Sequence, residues 1–162
     1  MTLRSVLVGT AAGAVGTAAL NIATYADMAS RGRPSSETPS KLVKNVASTA
    51  GLQPLAADDE TAQNRRSGLG SLLGYANGIG VGALYGAIRP AIRGKVPLLI
   101  AALGAGAAAM ALSDVPAAKA GATDPKTWGA EGWLADVVPH ALYGLALAFA
   151  FDALDEERRG AS

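Results

Sequence analysis

The chain has 162 residues, enough for one domain, and half of them are apolar. Only 5% are aromatic and the net charge is +1, so neither a soluble core of bulky side chains nor an electrostatic nucleic-acid partner is indicated. There is no cysteine, which excludes disulfides, thiol nucleophiles and Cys-based metal sites.

The apolar residues come in long uncharged runs, the pattern of membrane spans. The first run covers residues 5–26, behind Arg4. Gly9 and Gly13 form a GxxxG pair with Thr17 in the same register, a face that lets another helix approach closely. A cleaved signal peptide is the competing reading. The length of the run and the lack of a crisp cleavage box favour an uncleaved anchor. Residues 28–66 are polar. The stretch 31–40 is loop chemistry, with two prolines and several small polar residues. Ser40 is expected to cap a short helix, 41–50, with Leu42, Val43, Val46 and Ala47 on one side and Gly51 and Pro54 ending it. That helix reads either as an amphipathic segment lying on the membrane surface or as a cover over the bundle mouth. The acidic residues Asp58, Asp59 and Glu60 lead into the next span.

The second span, 67–88, has no charge and carries Gly70, Gly74, Gly78, Gly82 and Gly86, one every fourth residue. Such a helix is poor in water but holds in lipid, where the backbone must satisfy itself. Steps of four drift by about 40° each on a 3.6-residue helix. The ridge therefore winds, and a crossing partner is expected at each end. Pro90 and Gly94 should break the helix in the basic turn 89–95. The third span, 97–112, is rich in glycine and alanine and should close at Asp114-Val115-Pro116. In the following loop Asp124 can cap a short helix with Pro125 at its first position. The fourth span, 134–151, is interrupted by Pro139 and followed by a charged tail. The tetrapeptide Ala-Leu-Tyr-Gly occurs at 83–86 and again at 141–144. That echo, with the two segments at similar depths, would fit two hairpins related as repeats, but a tetrapeptide of such common residues is more readily a coincidence.

Orientation follows basic residues near the spans. Arg4, Arg89, Arg93, Lys95, Arg158 and Arg159 sit in short segments on one side, while those on the other are spread through long loops with many acids. Density favours both termini in the cytoplasm. Tyr25, Tyr75, Trp128 and Trp133 fall at the opposite interface, as belt residues.

The chain has one histidine, His140, with Asp136 four residues before it on the same helix face. Asp27 and Asp114 end other spans at that level, and Asn77 lies inside the second span. Ionisable groups at membrane depth are costly and invite a functional hypothesis. Asp27, Asn77, Asp114, Asp136 and His140 thus form a candidate proton- or ion-binding cluster. Local pairing and helix capping are the structural alternative. Scattered Asp residues and one His lack the dense spacing of a metal site, and no nucleophile elbow or phosphate loop is present.

Pro116, the loop Gly121-Ala-Thr123-Asp-Pro125, Trp128 or Trp133 near the loop's end, and His140 early in a last span that runs into Asp-Glu-Glu-Arg-Arg159 make a recognisable series. This last third of the chain resembles the YagU-like family of small bacterial inner-membrane proteins. The resemblance implies that membrane as location, and the family's suggested link to acid tolerance suits a titratable His140.

The expected protein is all-α and a single domain, residues 1–162. It is an integral membrane four-helix bundle with glycine-zipper packing and a short interfacial helix. It needs no cofactor or metal. Its partners are the lipid bilayer and, through the glycine ridges including Gly9 and Gly13, a second copy or another membrane protein, with no nucleic acid. The expected role is non-enzymatic: structural, envelope-stress or partner-binding. The alternative is a small proton, ion or solute conduit using Asp136 and His140.

Overall fold

The computed structural model describes residues 2–159, with side chains through Asp155. Its elements are α1 (Leu3–Arg31), α2 (Thr38–Thr49), α3 (Gln53–Ala56), α4 (Glu60–Ile92), α5 (Leu98–Lys119), a 3-10 turn (Pro125–Thr127) and α6 (Gly129–Arg159). No strand occurs among the described residues. The side chains of Arg158 and Arg159, used above for orientation, and residues 160–162 lie outside them.

Three helices are long and apolar enough to cross a membrane: α1, α5 and the Gly129–Asp155 part of α6. At 33 residues α4 is longer than any of these. Its glycines, serines, tyrosines and Asn77 dilute its apolar content.

The helices outrun their expected ends. α1 is capped by Thr2, whose hydroxyl accepts from the Ser5 N–H at 3.2 Å, and continues through Asp27 to a left-handed Gly32. Pro90 does not break α4, Pro116 does not close α5, and Pro139 stays inside α6. Each proline removes one ladder bond, but its neighbours keep theirs, and in lipid the helix remains the only self-satisfied backbone. Gly94 and Gly121, both at positive φ, make the actual stops. α2 begins at Thr38 rather than Lys41, with Pro39 in its first turn. Ser40 does not cap it. Its hydroxyl donates to the Glu37 carbonyl at 2.9 Å. Asp124 does cap the 3-10 turn, accepting from the Lys126 N–H at 3.0 Å.

α1 runs antiparallel to α4, with backbone on backbone. Gly9 meets Gly82 and Gly86, Gly13 meets Gly78 and Gly82, and Thr17 meets Gly78. Gly70 meets Pro39 and Ser40 of α2, while Gly74 has nothing within 4 Å. α6 packs on α1 through Tyr143 against Gly16, and its hydroxyl donates to the Gly78 carbonyl of α4 at 2.6 Å. α5 runs antiparallel to α6, with Gly106 on His140 and Gly144 on Ala102. Tyr143, Leu147 and Phe151 are fully buried, and the rest of the core is largely Ala, whereas Leu7, Ile22, Leu72, Leu84, Ile88, Ile100 and Phe149 are exposed. Small residues face inward and large apolar ones outward, as expected for surfaces that meet lipid.

The repeated tetrapeptides do not share a depth. Tyr143 is level with Gly78 and Phe151 meets Tyr85 edge to face, so residues 83–86 lie about two turns further along. α2 uses its apolar side on the bundle, burying Val43 and Ala47, and Asn45 donates to the Ala120 carbonyl at 2.8 Å. It covers the mouth of the helices, with Val46 of the same helix left exposed. Beside it Lys44 pairs with Asp58 and Lys41 with Glu37. The ammonium groups hold both carboxyls below their usual range, but such exposed pairs contribute little to stability.

A Cβ on Gly82 would fall 2.5 Å from the Gly13 Cα. Gly82→Ala is therefore expected to cost about 1–3 kcal/mol, the usual penalty of overpacking. Gly74→Ala faces open space and is expected to be neutral or to gain up to about 1 kcal/mol. Unfolding of both variants in mixed micelles separates the outcomes. Equal stability of the two would refute the close packing.

Candidate functional site

The contacts of Gly106 and Gly144 draw α5 and α6 together, and this sets Asp114 of α5 beside Asp136 of α6. The His140 Nδ1 lies 2.8 Å from the Asp136 carbonyl oxygen and 3.4 Å from its Oδ1. A carbonyl only accepts, so Nδ1 carries hydrogen and Nε2 is the basic nitrogen. The Ser113 hydroxyl donates to the Met110 carbonyl at 2.8 Å and is 3.4 Å from the Asp114 Oδ1. Asp114 Oδ2 and Asp136 Oδ2 are buried and have no hydrogen-bond partner. Two facing carboxyls, each with an orphaned oxygen, are costly unless a proton stands between them.

The other predicted members are placed elsewhere. Asp27 is held by Arg31, at 2.6 and 2.7 Å, and by Arg33. It leaves the cluster because its own helix continues and supplies a guanidinium one turn on. Asn77 lies deeper, donating to the Ala109 carbonyl at 2.8 Å. Ala109 is five residues before Asp114, about 7.5 Å along the helix, so Asn77 bridges α4 and α5 below the carboxyls. Among the described residues no group of three His, Asp or Glu side chains is placed to hold a metal.

A groove of about 270 Å³ opens beside Asp114, lined also by Met110, Val115, Pro125, Trp128 and Trp133. The two indole rings touch, with centroids 5.0 Å apart, and the Trp128 Nε1 donates to the Thr123 hydroxyl at 2.8 Å. A second groove, of about 300 Å³ between α2 and Ala120, has no ionisable lining.

Sequence reasoning passed over the opposite end. Arg93 bridges Asp152 at 2.6 Å and Asp155 at 2.9 Å, and Arg4 reaches the Asp155 carbonyl at 3.5 Å. Buried Arg89 donates to the Val96 carbonyl at 3.1 Å. The signal was a basic turn opposite an acidic helix end, but pairing them requires knowing that α4 and α6 run parallel. A scan against protein-family models and searches of curated proteins and of solved structures find no match to this chain.

The Asn77 bridge has a measurable weight. Interhelical hydrogen bonds in membranes average about 0.6 kcal/mol and reach about 1.7. Asn77→Ala is expected to lose an amount in that range, measured by reversible unfolding in bicelles. No loss would show that the amide does not hold α5 to α4.

Proposed function

We propose that the chain is a four-span integral membrane protein of the bacterial inner membrane with a non-enzymatic, proton-responsive structural role. In this reading α4 is the fourth span and α1–α4 is a glycine zipper. Both termini are cytoplasmic, and the end carrying Arg4, Arg89, Arg93 and Lys95 faces the cytoplasm. The similarity of the last third to the YagU-like family and its suggested acid tolerance agree with this.

The observation that carries the reading is the facing pair Asp114 and Asp136, each with a buried oxygen lacking a partner, with His140 on Asp136. One proton shared by the carboxyls would satisfy both orphans. Loss of that proton would set two like charges across the α5–α6 seam, where each must then find water, His140 or a cation. The site therefore converts outside acidity into a change in how tightly two helices are held. Passage through the bundle is disfavoured, because Tyr143, Leu147 and Phe151 fill the interior beyond the cluster.

The single histidine makes the test clean. NMR titration of His140 in nanodiscs is expected to give a midpoint displaced from about 6.5 and moved again by Asp136→Asn. Asp27→Asn should leave it in place. A midpoint near the reference value, indifferent to Asp136→Asn, would refute the proton-responsive reading.

A further inference from the structure

We propose that the groove beside Asp114 binds a lipophilic organic monocation, with Asp114 as its counter-ion and the Trp128–Trp133 pair as its aromatic wall. The proposal deepens the preceding reading, since it uses the same carboxyl. The groove's volume, about 270 Å³, lies just below the usual size of ligand pockets, about 300–1,000 Å³, which limits it to a small ligand. Asp114 is its one ionisable lining residue, and Met110, Val115, Pro125 and the indoles are apolar walls. A hydrated metal ion or a primary ammonium has no use for such walls. A quaternary ammonium or phosphonium sheds little hydration, packs against aliphatic and aromatic carbon, and is attracted to indole faces.

Charge balance sets the coupling. The charged and titratable groups facing Asp114 are Asp136 and His140 of α6, while Asn77 of α4 is neutral and engaged at Ala109. A bound monocation balances the charge that the carboxyl pair carries once its shared proton leaves. Proton and cation therefore compete, and binding weakens as pH falls.

The groove reports on itself, because the chain's only two tryptophans line it. The experiment is a fluorescence titration of the full chain in nanodiscs with tetrabutylphosphonium, and with tributylphosphine oxide as a neutral analogue. A saturable change in emission is expected with the phosphonium and not with the oxide. It should weaken at least tenfold in Asp114→Asn, persist in Asp114→Glu, and weaken from pH 8 to pH 5. An equal response to the oxide, or unchanged affinity in Asp114→Asn, would show simple partition into lipid and overturn the proposal. Should Asp114→Asn not fold, Trp133→Leu keeps Trp128 as reporter. Severalfold weaker binding then supports the site and unchanged binding overturns it. A saturable, Asp114-dependent response beside an ordinary His140 titration would uphold the cation site and refute the proton-responsive role. A displaced, Asp136-dependent titration without any phosphonium response would refute the cation site alone.

Discussion

The contact on which the rest of the structure depends is the backbone-to-backbone approach of α1 and α4. Gly9 and Gly13 on one helix and Gly82 and Gly86 on the other leave no side chain between them, and the Thr17 side chain fills the space over Gly78. Carbon atoms ordinarily rest about 3.5–4.0 Å apart, and a single added Cβ would violate that distance against main chain, which has nowhere to go. The approach also shapes a notch. Gly16 and Gly78 lack the atoms that would otherwise fill it, so the Tyr143 ring enters and its hydroxyl reaches the Gly78 carbonyl. Tyr143 in turn fixes α6, and α6 receives α5 through Gly106 and Gly144. The meeting of Asp114 with Asp136 is thus three packing steps removed from the glycine ridge, and it inherits its geometry from that ridge.

Lipid explains why such packing holds. In water a core of alanine and glycine would bury too little apolar surface to offset chain entropy. Between apolar spans in a bilayer, burial from water is no longer the driving force. What counts is close contact along the helix, and small residues supply it. The same logic places Leu7, Ile22, Leu84, Ile88 and Phe149 on the outside, where acyl chains meet them as well as protein would.

Much of this was legible in the sequence. Four-residue glycine spacing marked a contact face at Gly70, Gly78, Gly82 and Gly86 but not at Gly74, which faces open space, and uncharged runs marked the long helices. Helix ends were not legible, because the prolines at 90, 116 and 139 read as breaks by local rules, and the helices continue because no other backbone is self-satisfied in lipid. Depth was readable for Asp27 and Asp136 but not for Asn77 or the repeated tetrapeptides, and azimuth was not readable. Asp27 and Asp136 stand near one level, yet Asp27 turns to Arg31 and Arg33. The Arg31 pairing follows from four-residue spacing on a helix that continues past Asp27, whereas the approach of Arg33 depends on the turn at Gly32. The joining of Arg93 to Asp152 and Asp155 depends on the parallel course of α4 and α6, which the chain alone does not state.

The two ends of the bundle differ in a way that gives the fold a direction. At one end the ion pairs are made by arginines, which stay charged at any physiological pH. Arg4, Arg89 and Arg93 tie α1, the α4–α5 turn and α6 to one another through Asp152 and Asp155. At the other end Asp114 and Asp136 meet no guanidinium, and the one base at hand is an imidazole. Charge is therefore fixed at the first end, and at the second, where Arg31 and Arg33 hold Asp27, it is variable only at the α5–α6 pair. On the proposed reading, a change in proton or cation occupancy would act on the α5–α6 seam near the tryptophans, while the glycine contacts of α1 with α4 and the arginine ties would hold the far end still. A fold clamped at one end and adjustable at the other could alter one face without coming apart, as the proposed proton-responsive role requires.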